Sequence, residues 1–254
     1  MMLSPDFLRL PVAHRGYHDR AAGRPENSLA AARAAIAAGY AIECDLQPSA
    51  DGVPMVFHDY DLRRLTGVAG RIGGFTAAEL AAMPLLGGDE GIPTLAELLA
   101  LVAGRVPLLI EIKDQHGAMG GTDGALERAA AAQIAAYAGP VAVMSFNPNA
   151  IAAFRAAAPD VAVGLTTSAY TAEDWPLLPA AVRDSLREIP DYDRVGACFI
   201  SHEAAALDTP RVAALKAQGA AILCWTIRSP EAEATARKIA QNITFEGYPA
   251  PIPA

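Results

Sequence analysis

The sequence predicts an α/β chain closed into a TIM-type (β/α)8 barrel, and three observations carry that expectation. Short apolar, β-rich runs alternate with alanine-rich segments of helical period, the pattern of strand–helix units wound around a parallel sheet. Polar and charged residues interrupt the apolar runs near their C-terminal ends, where a parallel barrel presents its chemistry. The length of 254 residues is that of such a barrel folding as one unit.

Candidate strands lie near 10–14, 40–45, 53–58, 107–113, 140–145, 161–166, 196–201, 220–226 and 242–245. Two of these are marginal, which brings the count near eight. Candidate helices lie at 28–38, 94–103, 124–137, 148–157, 209–218 and 230–240, several entered through a capping residue or proline: Asn27-Ser28, Pro93-Thr94, Asn147-Pro148, Ser229-Pro230. The glycine-rich stretch 60–92 and the stretch 166–195, broken by Pro176, Pro179 and Pro190, read as insertions between barrel units. Residues 1–254 are therefore expected to form a single domain.

Composition narrows the function classes. Hydrophobic residues make up 52% and charged residues 19%, enough apolar content for a large core and too much for a disordered chain. The formal net charge of −8 and the absence of any Lys/Arg cluster argue against nucleic acid as a partner. Cys44, Cys198 and Cys224 are far apart and sit in apolar runs, so they read as small buried strand residues of a reducing compartment. The start, Met1 to Arg9, lacks the basic and apolar blocks of a secretion signal, and no apolar run reaches membrane-span length. The expectation is a cytoplasmic protein without stable membrane insertion. Oligomeric state is not written in the sequence.

Candidate chemistry begins at Glu43 and Asp45, two carboxylates at alternate positions of one strand and so on one face of it. Buried together, they must share a proton or gain a cation, whether a metal or a structural ion-pair partner. Glu111 and Lys113 repeat the arrangement on another strand. Three oxygen donors suit a hard divalent ion, Mg²⁺ or Ca²⁺, better than zinc; the simpler alternative is that Lys113 neutralises Glu111. His14 with Arg15 ends the first candidate strand and His58 the third, so four strand ends are expected to deliver His14, Arg15, Glu43, Asp45, His58, Glu111 and Lys113 to one opening.

These residues fall into an ordered set: His14-Arg15-Gly16, Pro25-Glu26-Asn27-Ser28, Glu43-Cys44-Asp45, Asp51-Gly52 through His58-Asp59, and Glu111-Ile112-Lys113. The set continues through Leu62-Arg63-Arg64-Leu65-Thr66-Gly67, Ile92-Pro93-Thr94-Leu95-Ala96-Glu97-Leu98, Ser145-Phe146 and Cys224-Trp225-Thr226. It resembles the glycerophosphodiester phosphodiesterases, whose fold is a TIM barrel. The resemblance implies metal-dependent hydrolysis of a small glycerophosphodiester to glycerol 3-phosphate and an alcohol. It implies Glu43, Asp45 and Glu111 as metal ligands, His14 and His58 as general acid and base, and Arg15 and Lys113 as phosphate contacts. Trp225 would pack on the glycerol side, its alternative being a large core residue. Glu26 would either approach the metal or orient the first helix, and Asn27 reads as an N-cap.

One stretch departs from the family's pattern. Where the family closes near Gly-Val-Asp-Gly-Ile-Ile-Thr-Asp-x-Pro, this chain reads Gln241-Asn242-Ile243-Thr244-Phe245-Glu246-Gly247-Tyr248-Pro249, so a different pocket wall is expected there. His18, His116 and His202 have no family role and are expected on loops or the surface. Rival readings are a phospholipase-type phosphodiesterase with an apolar rim near Phe75 and Leu85-Leu86, a barrel that binds without catalysis, and an aldolase- or isomerase-like enzyme using Lys113.

Overall fold

The computed structural model describes residues 2–253. The chain begins with α1 (Asp6–Arg9) and β1 (Val12–Ala13), then α2 (Leu29–Ala38) and β2 (Ala41–Pro48), which folds back as β3 (Pro54–Val56). Two short helices, α3 (Arg63–Thr66) and α4 (Ala77–Ala81), fill the excursion before α5 (Leu95–Val102). Regular alternation follows: β4 (Leu108–Ile112), α6 (Ala125–Ile134), β5 (Val141–Ser145), α7 (Pro148–Ala157), β6 (Ala162–Thr167), α8 (Ala180–Arg187), β7 (Phe199–Glu203), α9 (Pro210–Ala217), β8 (Ala221–Ile227), α10 (Pro230–Ala236) and β9 (Asn242–Phe245).

Strands β1, β2 and β4 to β9 are all parallel, and β1 pairs with both β2 and β9, which closes the barrel. The expected (β/α)8 architecture is present, with one correction. The run at 53–58 is not a barrel strand: β3 lies antiparallel on the outer half of β2, with Leu46 opposite Val56 and Pro48 opposite Pro54. Only residues 49–53 separate the two strands. A parallel return would need a crossover of about a dozen residues or more, so the short link dictates a hairpin. Ser49 and Asp51 close the turn through an Oγ–Oδ1 hydrogen bond of 2.6 Å.

Strand pleat explains what fills the barrel. Val12, Ala41, Leu109, Ala142, Ala162, Phe199 and Ala221 form one packed cluster with Leu3 and Phe7, which plug the barrel's N-terminal end. Asn242 holds that plug by donating to the carbonyls of Phe7 and Leu10, both at 2.7 Å. At Gly164 a Cβ would stand 2.4 Å from the Phe199 ring, so only glycine lets that ring fill the interior. The alternate residues, Ala13, Ile42, Ile110, Val143 and Ile222 among them, face outward into the core beneath the helices. A third cluster, Met55, Phe57, Leu62, Leu65, Ile72, Leu80, Leu85 and Ile92, gives the excursion its own small core.

Leu85 is buried in that core, Phe75 packs against it, and neither they nor Leu86 line the barrel-mouth cavity. The expected apolar rim is therefore not part of the candidate site. Cys44 and Cys224 are buried strand residues, Cys198 lies half-buried just before β7, and all three are free thiols.

Candidate active site

Following the same pleat upward from the plug, side chains turn from apolar to charged. On β2, Ala41 gives way to Glu43, Asp45 and Gln47; on β4, Leu109 gives way to Glu111, followed by Lys113. Asp45 and Glu111 are direct register partners. Glu43, Asp45 and Glu111 are all buried, and each places a carboxylate oxygen within 4.8 Å of the others.

Two cations partly compensate this crowding. Lys113 Nζ lies 2.7 Å from Glu111 and 3.0 Å from Asp45, and Arg15 Nε lies 3.4 Å from Asp45. Burial opposes ionisation of Asp45, but Lys113, His58, Arg15 and a hydrogen bond from Asn27 outweigh it and hold the carboxyl below the usual range. Glu43 has no ion-pair partner among the described residues. Its Oε2 accepts only the Arg15 backbone N–H, at 2.7 Å. Burial first, then the charges of Asp45 and Glu111, push its carboxyl well above the usual value. A buried carboxylate left over after Lys113 and Arg15 are counted is what a missing cation would leave, and the all-oxygen donor set fits a hard divalent ion.

The loop after β1 makes this possible. Arg15 and Gly16 adopt left-handed backbone (φ 52° and 78°), which turns the Arg15 N–H onto Glu43. A Cβ on Gly16 would meet Ala31 at 2.9 Å, so the position requires glycine twice over. Asn27, also left-handed (φ 57°), donates from Nδ2 to Asp45 at 2.8 Å and accepts the Asp45 N–H at 3.2 Å. The expected N-cap role is overturned: Ser28 caps α2, accepting the Ala31 N–H, and Asn27 fixes a carboxylate. Glu26 does not join the three carboxylates; it receives Arg15 at 2.6 Å and Arg64 at 2.7 Å.

Both sequence-predicted histidines face the same cavity, but they reach it from opposite directions. His14 ends β1 and its Nδ1 contacts Glu246 at 2.5 Å. Burial lowers its pKa below the ordinary histidine value, partly offset by that hydrogen bond. His58 follows the antiparallel β3, so it descends to the mouth from the hairpin and does not rise from a barrel strand end; the N–H of Phe57 on the Asp45 carbonyl, 2.9 Å, docks it there. Its Nδ1 contacts Asp59 at 2.7 Å. Arg64 then joins Asp59 (Nε, 2.6 Å) to Glu26 (Nη1, 2.7 Å), linking the His58 side of the site to Arg15.

Across the opening stands an aromatic wall. Phe146 packs edge-on against Trp225 (centroids 5.5 Å apart, 86°) and tilted against Trp175 (5.0 Å). The indole N–H of half-buried Trp225 donates to the Ser201 carbonyl at 3.0 Å, so its ring is held with one side on the cavity. The cavity between the walls measures about 680 Å³ and is lined by all eight predicted site residues: His14, Arg15, Glu43, Asp45, His58, Glu111, Lys113 and Trp225.

Of the three unassigned histidines, His116 is exposed. His202 is not on a loop or the surface: it sits buried on β7, bonded to Thr167 at 2.7 Å and to the Ala206 carbonyl at 3.0 Å. His18 is on a loop but packs against Glu246. Glu246, Asp59 and Arg64 were not given roles from sequence. Asp59 and Arg64 stood inside matched motifs, and Glu246 in the one stretch that departs from the family's pattern.

Residues 14–243 match the model of the glycerophosphoryl diester phosphodiesterase family. The Mycobacterium tuberculosis protein named "Probable glycerophosphodiester phosphodiesterase 1" is 30% identical over 244 residues, covering 85% of this chain and 81% of its own. A bovine glycerophosphodiester phosphodiesterase 1 is 39% identical over 109 residues, a match spanning 39% of this chain and about a third, 32%, of that protein. Among solved structures, an Oleispira antarctica phosphodiesterase in complex with its product sn-glycerol-3-phosphate superimposes with a TM-score of 0.77, at 26% identity and 94% coverage of each chain. With the barrel, the ordered motifs and the family match in agreement, this chain belongs to the glycerophosphoryl diester phosphodiesterase family and is a phosphoric diester hydrolase.

Proposed function

We propose that the chain hydrolyses small glycerophosphodiesters to glycerol 3-phosphate and an alcohol, using a divalent cation held by Glu43, Asp45 and Glu111 and two histidines as acid and base. The observation that carries this reading is the pairing of an uncompensated buried Glu43 with two carboxylate-backed histidines around one cavity. When bound, Mg²⁺ or Ca²⁺ supplies Lewis-acid neutralisation of phosphoryl charge.

The chain's own groups do the rest. Arg15 and Lys113 line the cavity as fixed cations, and the carboxylates beside them keep both protonated. They orient the phosphodiester and favour the charge that grows on its oxygens. With Glu246 on Nδ1, His14 keeps Nε2 as its free nitrogen; Asp59 does the same for His58. One histidine takes the proton of the attacking hydroxyl, from water or the adjacent glycerol oxygen, as the new O–P bond forms. The other donates a proton to the alcohol oxygen as the old P–O bond breaks. An attacking glycerol hydroxyl gains from proximity and leads through a cyclic phosphate that water then opens. The aromatic wall shields the organic part of the substrate from water.

No helix among the described residues is long and apolar enough to cross a membrane. Together with three free thiols, this supports a small-molecule substrate met in a reducing compartment, for which the cytoplasm is our reading. The test is glycerol 3-phosphate release from glycerophosphocholine and glycerophosphoethanolamine with Mg²⁺ or Ca²⁺, then with EDTA. Release that EDTA abolishes and added metal restores is the expected result. Release unaffected by EDTA would remove the metal from the reading, and no release from folded, metal-loaded protein would remove the substrate.

A further inference from the structure

Among the described residues, one other group of side chains outside the three-carboxylate cluster converges as metal ligands do. His14 Nδ1 lies 2.5 Å and His18 Nε2 3.5 Å from the same Glu246 oxygen, Oε2, and the three donor atoms all fall within 4.8 Å of one another. The left-handed turn at Arg15 and Gly16 folds His18 back beside His14. His18 Nε2 is sealed from solvent yet makes no hydrogen bond. The other Glu246 oxygen, Oε1, is occupied by Arg228 Nε at 2.8 Å, which holds the carboxylate with Oε2 turned toward the two rings.

We propose that His14, His18 and Glu246 form a second cation site, suited to zinc or a similar transition ion, and that filling it inhibits the enzyme by withdrawing His14 from catalysis. The inhibitory half rests on the proposed function with His14 as the histidine that accepts the proton; the binding half does not.

The donor set separates this site from its neighbour. Two imidazoles and one carboxylate, with a fourth position open, is a zinc-type set, whereas Glu43, Asp45 and Glu111 offer oxygen alone. Tetrahedral zinc with bonds of about 2.0–2.1 Å requires donor atoms roughly 3.3–3.4 Å apart. The His18–Glu246 pair already has that spacing; His14 must withdraw from Glu246 by less than about 1 Å. Zinc on Nδ1 displaces the proton now held between Nδ1 and Glu246, and the ring stays a neutral ligand by carrying its single proton on Nε2 instead. The ring nitrogen left to the cavity then becomes a donor and can no longer accept a proton.

Cobalt(II) is the direct probe. With Mg²⁺ saturating, one equivalent of Co²⁺ should give the intense visible absorption of a four-coordinate site, and Zn²⁺ should bleach it. His18→Ala and the closer mimic His18→Asn, each checked for native circular dichroism, should lose that band. Both should keep basal glycerophosphocholine hydrolysis and raise the Zn²⁺ concentration for half-inhibition by more than about tenfold, since a lost ligand outweighs a lost outer partner. No band in the folded wild-type protein, or a band and inhibition unchanged in both variants, overturns the site. A band that His18 substitution removes while Zn²⁺ leaves hydrolysis untouched keeps the site and overturns the inhibition. If glycerophosphocholine is not hydrolysed at all, the proposed function fails separately and the cobalt band still decides the site.

Discussion

His14 and His58 end in the same cavity with a carboxylate on Nδ1, yet the molecule builds the two sides differently. His14 belongs to the barrel: β1 and β9 hold it, its side chain is 14% exposed, and its carboxylate comes from the far end of the sequence, 232 residues away. His58 belongs to the excursion: a hairpin and a separate small core hold it, its side chain is 31% exposed, and its carboxylate is the next residue. The same orienting device thus serves a more buried histidine and a more accessible one. Burial lowers the His14 pKa, so within the proposed function we assign His14 the acceptor role and His58 the donor role.

The largest effect should come from deleting either ring. His14→Ala and His58→Ala should each lower kcat by roughly 10²–10⁴-fold with the fold retained. A leaving group of low pKa needs no proton, so an activated aryl ester should rescue His58→Ala and not His14→Ala. Rescue of His14→Ala alone would reverse the assignment, and equal rescue of both variants would overturn it.

The next effect probes the excursion side. Arg64 holds Asp59 and Glu26 at once, and both lie below the ordinary carboxylate range: burial opposes ionisation in each, while His58 and Arg64 lower Asp59 and Arg64 and Arg15 lower Glu26. Arg64→Ala should cost roughly 10–100-fold in kcat, in line with lost outer partners at other sites, and Arg64→Lys should recover little of it because an ammonium lacks the planar fork with which Arg64 bonds both oxygens of Asp59 and both of Glu26. A lysine variant at wild-type rate would mean that charge alone matters there.

How much of this was legible follows the same division. Glu43, Asp45, Glu111 and Lys113 could be placed because strand periodicity alone puts alternate residues on one face, and that rule needs no tertiary knowledge. The barrel was legible from alternation of strand and helix. The hairpin was misread as a barrel strand although residues 49–53 are too few for a crossover; an apolar run looks alike in either direction. Asn27 was misread because the same residue type serves caps and carboxylates, and Ser28 next to it could fill the first role. Glu246 was invisible for a different reason. Its contact spans the whole chain, and closure of the barrel, which local sequence does not encode, is what brings it to His14.

The third effect tests the barrel side. Glu246 raises the His14 pKa against the lowering by burial. Glu246→Gln removes that support, so the His14 pKa should fall further. If His14 is the base, the acid limb of kcat/KM should move to lower pH, with a smaller loss in rate than ring deletion. A limb that moves up, or does not move, would detach His14 from the limb.

The smallest effect concerns a histidine of the same barrel with no carboxylate. His202 is 3% exposed; its Nε2 donates to the Ala206 carbonyl and its Nδ1 accepts from Thr167, which satisfies the neutral ring completely. Burial pulls its pKa down to about 4 from 6.5. The unfolded chain therefore binds a proton that the folded chain refuses between these values. Stability from this source is complete above about pH 6.5 and declines as pH falls toward 4, by up to about 3 kcal/mol. Carboxylates held low, such as Asp59 and Glu246, lose their contribution only in more acidic solution, and buried carboxyls held high, Glu43 and Glu127, change stability in the opposite direction, so a decline in this window comes from buried histidines. His202→Gln, measured by urea unfolding at pH 7 and pH 5, should be less stable than wild type at pH 7 and show a shallower decline to pH 5. A His202→Gln protein with the wild-type slope would show that His202 does not carry the stability lost in this window.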